Sequence, residues 1–313
     1  MRASLFAPKY WPTWLILGVL RLAQLLPYAI QVLLGTVIGW LLSFVPVSYV
    51  RIARRNLELC FPEMSVRERR RLLRRHFSSL GVGVFETANV WWASNERIRE
   101  LTEFRGFEEL TRALAKGNGV IVIGSHFTTM EMGARILGTA EPLNVLYRRP
   151  KNEVLEWLLA RSYRPFARRA IERDDIRLLI RGLRSNEVVW YAPDQSYRKK
   201  GAEMVTLFGI PAPTNTFTTR LARMTDAVVL PYFFERLPGA RGYRAEVCPP
   251  MEGYPSDDPV ADAERYNRLL EEHIRHVPEQ YLWIHRRFKG LSASDPDYYG
   301  RDARPLPRSA LGG

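Results

Sequence analysis

At 313 residues, 46% hydrophobic and 25% charged, the chain is long enough for one large α/β domain or two small ones and too apolar to be disordered. Its two cysteines, Cys60 and Cys248, exclude a disulfide framework and a paired-cysteine zinc site. Lys and Arg outnumber Asp and Glu by 46 to 33, a formal charge of +13, and only six of the 46 are Lys, which suits a surface that meets phosphates, anionic lipid or an acidic protein.

From Leu22 to Val50 there is no charged side chain, and Gln24 and Gln31 are the strongly polar interruptions. This run exceeds the roughly 20 residues a helix needs to cross hydrocarbon, and it is too long for a signal peptide. Trp11, Trp14 and Tyr49 flank it as interfacial aromatics do. Gly35 and Gly39 have the small-xxx-small spacing that lets another helix approach closely. Arg51, Arg54 and Arg55 follow, then the basic stretch Arg67–His76, which by the positive-inside rule puts the rest of the chain on the cytoplasmic side. The expectation is a single membrane-anchor helix within residues 1–50. An in-plane hairpin broken near Pro27 is the alternative.

Residues 51–118 read as helical. Ser65 followed by Glu68 predicts a capping box, and Leu72, Leu73, Phe77 and Leu80 form the apolar side of the helix it opens. From Gly119 the pattern becomes short β-branched runs alternating with helical stretches. Gly119–Gly124, Leu143–Tyr147, Glu187–Ala192, Ala227–Phe234 and Tyr243–Cys248 read as strands. Met130–Leu137, Val154–Phe166, Asp175–Leu183, Thr216–Met224 and Asp262–His276 read as helices. The alternation predicts an α/β fold, a largely parallel central sheet flanked by helices and preceded by the N-terminal membrane-anchor helix. One catalytic domain then covers 51–295, and 296–313 is a flexible tail.

Chemistry in such a fold gathers where strands end and helices begin. At the first junction, GVIVIGSHFTTMEMGARILG, His126 follows the strand and Glu131 comes five residues later. Five residues turn a helix by about 500°, so the pair meets only if His126 lies on the turn and Glu131 inside the helix. A carboxylate there can hold the imidazole in one tautomer, leaving the other nitrogen to take a proton from a hydroxyl. The spacing alone is a weak signal, and its context strengthens it: G-x-S-x-G, H-E-x-x-H and P-loop motifs are all missing from the sequence. His273, His276 and His285 read as structural or surface residues. No nucleic-acid module accompanies the charge, so neither a nucleic-acid partner nor a metal or cofactor is expected.

Several blocks in order resemble the bacterial lipid A late acyltransferases of the lauroyl/myristoyl type, within the H-x4-[DE] glycerolipid-type acyltransferases. They are ARRNLELCFPE, SHFTTMEMG, VLYRRPKNEVLEW, ERDDI, VVWYAPDQSY, LFGIPAPTNTF, MEGYP and PEQYLWIHRRFK, and they span nearly the whole chain. The resemblance implies transfer of a fatty acyl chain from acyl carrier protein to an acyl-chain hydroxyl of the Kdo-bearing lipid A precursor. The setting it implies is the bacterial inner membrane, with membrane lipids as partners and the catalytic domain facing the cytoplasm. It makes His126 the general base and Glu131 its orienting carboxylate. Arg148, Arg173 and Asp194 match recurring positions suited to substrate binding, Arg148 to a glucosamine phosphate. Arg286 and Arg287 suit a phosphate or a carrier-protein contact. The alternatives are a related acyltransferase acting on a lysophospholipid, aminolipid or glycolipid, and a non-catalytic membrane-tethered lipid-binding protein.

Overall fold

The computed structural model describes residues 3–147, 149–172, 175–199 and 201–300. The chain opens with two apolar helices, α1 (Trp11–Gln24) and α2 (Tyr28–Leu42), followed by α3 (Ser48–Cys60), the long α4 (Val66–Trp92) and the short α5 (Asn95–Glu100). The α/β part runs β1 (Thr102–Arg105), α6 (Phe107–Leu114), β2 (Val120–Ile123), α7 (Met130–Ala140), β3 (Leu143–Tyr147), α8 (Glu153–Ser162), β4 (Ala167–Glu172), α9 (Ile176–Arg184) and β5 (Val188–Tyr191). A hairpin of β6 (Ala202–Leu207) and β7 (Ile210–Asn215) leads to α10 (Phe217–Thr225), β8 (Val228–Arg236), β9 (Tyr243–Val247) and α11 (Pro259–His276).

Seven strands form the main sheet in the order β1-β9-β8-β2-β5-β3-β4. The segment β8-β2-β5-β3-β4 is parallel throughout, β9 runs antiparallel to β8, and β1 pairs parallel with β9. The expected largely parallel sheet flanked by helices is therefore present, and every strand read from the sequence has its counterpart. Strands β1 and β4 escape the pattern because they are the edges. TEFR and ARRAIE are polar and mostly exposed, as edge strands are. The β6–β7 hairpin escapes it because Pro211 and Pro213 interrupt β7, a position tolerated in a two-stranded ribbon with free edges.

The single anchor helix expected in residues 1–50 is corrected. Pro27 fixes its own φ and lacks an N–H, so the apolar run breaks there into two helices. Gln31, the polar interruption, explains how the break is tolerated. Its amide donates to the carbonyls of Gln24 (3.2 Å) and Leu26 (2.8 Å), which the broken helix leaves without partners. Its own carbonyl accepts from Asn89 of α4 at 2.6 Å. At 14 and 15 residues, α1 and α2 reach only about 21–22 Å, short of the roughly 30 Å of bilayer hydrocarbon. Among the described residues no helix is long and apolar enough to cross a membrane.

The glycine pair finds its partner helix within the chain. A Cβ on Gly35 or Gly39 would land on the backbone of α4 at Phe77–Val82, and one on Gly81 would land on that of α2 at Gly35 and Gly39. Glycine-to-glycine contact lets α2 lie along α4 backbone to backbone. The capping box forms as read: Glu68 N–H donates to Ser65 Oγ (3.2 Å), and Ser65 N–H donates to Glu68 Oε2 (2.7 Å). Leu72, Leu73 and Phe77 are buried and Leu80 is half-buried, the apolar side expected of this helix.

Substituting Gly39→Leu should push α2 off α4 and lower stability by at least about 1–3 kcal/mol, the usual cost of overpacking. Urea unfolding in a fixed detergent checks it, and a wild-type midpoint would refute the backbone contact.

Candidate active site

Parallel register assembles the site. Ile123 at the end of β2 pairs with Tyr191 at the end of β5. Gly124 N–H extends the ladder by one bond to Tyr191 O, 2.8 Å. His126 and Asp194 each lie three residues beyond that register pair. Two adjacent parallel strands thus deliver an imidazole and a carboxylate, 68 residues apart in the chain, to the same edge of the sheet. His126 Nδ1 is 2.6 Å from Asp194 Oδ1, and the His126 backbone N–H donates to Asp194 Oδ2 at 2.9 Å.

Asp194 is almost wholly buried, with 1% of its side chain exposed, while His126 retains 19%. Burial alone would raise the Asp194 carboxyl. The charge of His126 and its two hydrogen bonds, with Arg287 beyond, instead hold it below the ordinary aspartate range. An ionised Asp194 makes Nδ1 the protonated nitrogen, so Nε2 is left as the basic one. Nδ1 is therefore tied to the scaffold and Nε2 is the nitrogen available to substrate.

Glu131 lies in the first turn of α7, where helix dipoles favour an anion. It is half-buried, and burial pushes its carboxyl up while the charge of His126 pulls it down. The required placement, His126 on the turn and Glu131 in the helix, is what the chain adopts. The orienting hydrogen bond expected from Glu131 comes from Asp194 instead. Asp194, expected at a substrate, spends both carboxylate oxygens on His126. Arg148 and Arg173 lie outside the described residues.

The turn between His126 and α7 is held from two sides. The closing segment straps it: Leu282 N–H donates to His126 O (2.9 Å) and Thr128 N–H to Gln280 O (2.7 Å). Phe127 and Tyr281 form an isolated antiparallel bridge. Arg287, in the same segment, is buried and donates to Thr214 Oγ1 at 2.7 Å. It therefore serves the wall of the site, whereas Arg286 beside it is exposed. His285 accepts the Ser196 N–H at Nε2 (2.9 Å), and burial and Arg287 lower its pKa to about 4. It is a neutral structural histidine, as its sequence context suggests.

From the other side comes α4. Ser79 Oγ is 2.6 Å from Thr128 Oγ1, and a Cβ on Gly83 would strike Thr128 O. Ser79 also accepts from Arg236 Nη1 at 2.9 Å. Arg236, at the end of β8, grips Glu86 of α4 with two bonds of 2.6 Å each, and Tyr28 of α2 donates to the same carboxylate at 3.3 Å. Both charges are nearly out of solvent, 9% and 2% exposed. This pair was not singled out from sequence. The signal was there for Glu86, a lone acid within GVGVFETANVWW, whereas Arg236 follows Glu235 at the end of AVVLPYFFER. Isolated charges in apolar runs need partners.

The family model for bacterial lipid A biosynthesis acyltransferase matches residues 1–290. The lipid A biosynthesis lauroyltransferase of Escherichia coli (strain K12) is 39% identical over 95% of this chain and 97% of its own. The lipid A biosynthesis palmitoleoyltransferase of the same organism is 38% identical over 93% and 95%. A lipid A biosynthesis acyltransferase of Haemophilus influenzae is 36% identical over 90% and 92%.

Removing one half of the buried pair, by Glu86→Gln or Arg236→Met, should destabilise by about 3–5 kcal/mol, and the double variant should recover part of that loss. Denaturant titration of the three variants tests the coupling, and strictly additive losses would contradict it. Glu131 gives a second expectation through pH. Its carboxyl is raised in the fold, so its stabilising share is complete below the unfolded value and is lost as pH rises through the folded one. Glu131→Gln should therefore unfold later than wild type at about pH 8 and lose that advantage near about pH 4. An unfolding midpoint at or below wild type at the higher pH would count against the burial.

Proposed function

The chain belongs to the bacterial lipid A biosynthesis acyltransferase family, and on that premise we propose that it moves a fatty acyl chain from an acyl carrier protein thioester to an acyl-chain hydroxyl of the lipid A precursor. The observation that carries the mechanism is the His126–Asp194 pair at adjacent strand ends, with Glu131 beside it. His126 Nε2 takes the proton of the acceptor hydroxyl as its oxygen attacks the thioester carbonyl. Asp194 holds the tautomer and stabilises the imidazolium that forms. Collapse of the tetrahedral intermediate breaks the C–S bond, and the imidazolium returns its proton to the departing sulfur. Direct attack needs no acyl-enzyme. Glu131 supplies further negative potential to the imidazolium and helps orient the acceptor hydroxyl.

Attachment to a membrane follows in-plane, the hairpin form of the N-terminal segment. The outer faces of α1 and α2 expose Trp11, Leu15, Leu22, Leu33, Val37 and Trp40, and the run continues through Phe44 and Tyr49. So large an apolar surface beside Arg51 and Arg54 of α3 suits the acyl and headgroup boundary of a leaflet. Attachment of this kind would bring the site to a lipid acceptor, and the chain's net charge of +13 suits an acidic donor protein.

Transfer from acyl carrier protein to a lipid A precursor, followed by mass spectrometry of the product, tests the reading. His126→Ala should lose a factor on the order of 100 to 10,000. Asp194→Asn should lose comparably, and the double variant should be hardly worse than either, because Asp194 acts through His126. Near wild-type turnover by folded His126→Ala protein would sink the mechanism. Wild type that leaves the precursor unmodified but acylates a lysophospholipid would move the substrate assignment.

A further inference from the structure

The small cavity lined by Asn56, His126, Asp194, Tyr281 and Trp283 is the catalytic cleft, and a larger cleft of about 480 Å³ lies near it. Arg51, Arg54 and Arg55 of α3, with Arg286 of the closing segment, line the larger cleft, and Tyr298 and Tyr299 complete it. Among the described residues that line it the one carboxylate is Glu58, which pairs with Arg55 at 3.3 Å. Arg51, Arg54 and Arg286 are exposed, and among the described residues none of the three has an ion-pair partner. Arg51 and Arg54 stand one turn apart on one helix face, and the Arg286 guanidinium lies 5.9 Å from the centre of the Tyr299 ring. Three unneutralised guanidiniums converging in a concavity make a site for a compact, highly charged anion.

Two features say which anion. First, the cleft begins where the apolar surface ends: Val45, Val47 and Tyr49 are exposed, and Ser48, Arg51 and Ile52 line the cleft. An occupant therefore sits at headgroup depth once α1 and α2 rest in a leaflet. Second, the wall shared with the catalytic cleft is thin. Asn56, next to Arg55, lines the catalytic cleft and donates to the carbonyls of Trp283 (2.6 Å) and His285 (2.7 Å). Tyr299 donates to Asn56 Oδ1 at 2.6 Å and accepts from Phe288 N–H at 3.0 Å. A group bound by the arginines is thus one layer of side chains from His126. A concavity of this size fits a headgroup rather than the convex face of a folded partner protein.

We propose that this cleft binds a phosphate group of the membrane-embedded acceptor lipid and so positions its reacting chain. The inference rests on the acyl-transfer reading above. Its test has a binding arm and a kinetic arm, so that the two can fail separately.

The binding arm uses full-length His126→Ala protein, without any acyl donor, and phosphatidylcholine vesicles with or without phosphatidic acid. Arg51→Ala/Arg54→Ala should weaken binding to the phosphatidic acid vesicles by about tenfold or more, and Arg51→Lys/Arg54→Lys should keep most of it. The equal-charge control Arg70→Ala/Arg71→Ala, on α4, should lose no more than about threefold. In the kinetic arm, on an otherwise wild-type background, the alanine pair should raise KM for the lipid acceptor by about tenfold while kcat stays within about threefold. Equal losses in the two alanine pairs would reduce the effect to general surface charge and overturn the site. A rise in KM for the acyl carrier protein alone would assign the arginines to the donor and overturn it too. Equally tight binding of inorganic phosphate would make the occupant a free anion, against the proposal. If wild type transfers no acyl chain at all, the acyl-transfer reading fails while the vesicle arm still reads the cleft.

Discussion

The bidentate contact between Arg236 and Glu86 is the interaction on which the rest of the architecture hangs. It joins the last residue of β8 to the C-terminal part of the long helix α4, in a place almost without solvent. Burying two charges costs several kcal/mol per ion, and the cost is offset only where geometry is good and the remaining lone pairs and protons are used. Here they are used: Tyr28 donates to the carboxylate, and Ser79 accepts from the guanidinium. Nearby charge raises the pKa of Arg236 despite its burial, so the guanidinium keeps its charge. Because Tyr28 belongs to α2 and Ser79 leads on to Thr128, one ion pair connects the apolar helices, the sheet and the turn that carries His126.

That turn is irregular backbone, and it is over-determined. Hydrogen bonds reach it from the closing segment, from α4 and from Asp194. A general base must be held within a few tenths of an ångström of its working position, and loops alone rarely achieve that. Tyr266 adds a support from α11, donating to Gly124 O at 2.7 Å and lying 2.6 Å from Ser125 Oγ. The support comes almost entirely from residues that touch no reacting atom.

The N-terminal segment shows how two modest polar features redirect a strongly apolar sequence. Pro27 ends one helix, and Gln31 satisfies the carbonyls left open. Gly35 and Gly39 then turn α2 against α4 rather than toward a second membrane helix. The hydrophobic surplus is not removed by this folding. It is spread over the outer side of α1 and α2, where Leu15 is 71% exposed and Leu22 68%.

Sequence by itself determined the parts governed by local rules. The strand and helix alternation after Gly119, the capping box at Ser65, the glycine seam and the His126–Glu131 junction all depend on residues a few positions apart, and all were legible. The edge strands β1 and β4 were not, because an edge has little apolar alternation to display. The length of the apolar run misled because Gln31, one turn past Pro27, serves the freed carbonyls and is itself held by Asn89 of α4, a contact only the fold supplies. Tertiary structure decided which carboxylate holds the His126 imidazole. Glu131 is near His126 in the chain, but the parallel register of β2 with β5 puts Asp194 on its Nδ1. Strand order is a long-range property, since it follows from how helices pack across the whole sheet. No spacing within one segment encodes it.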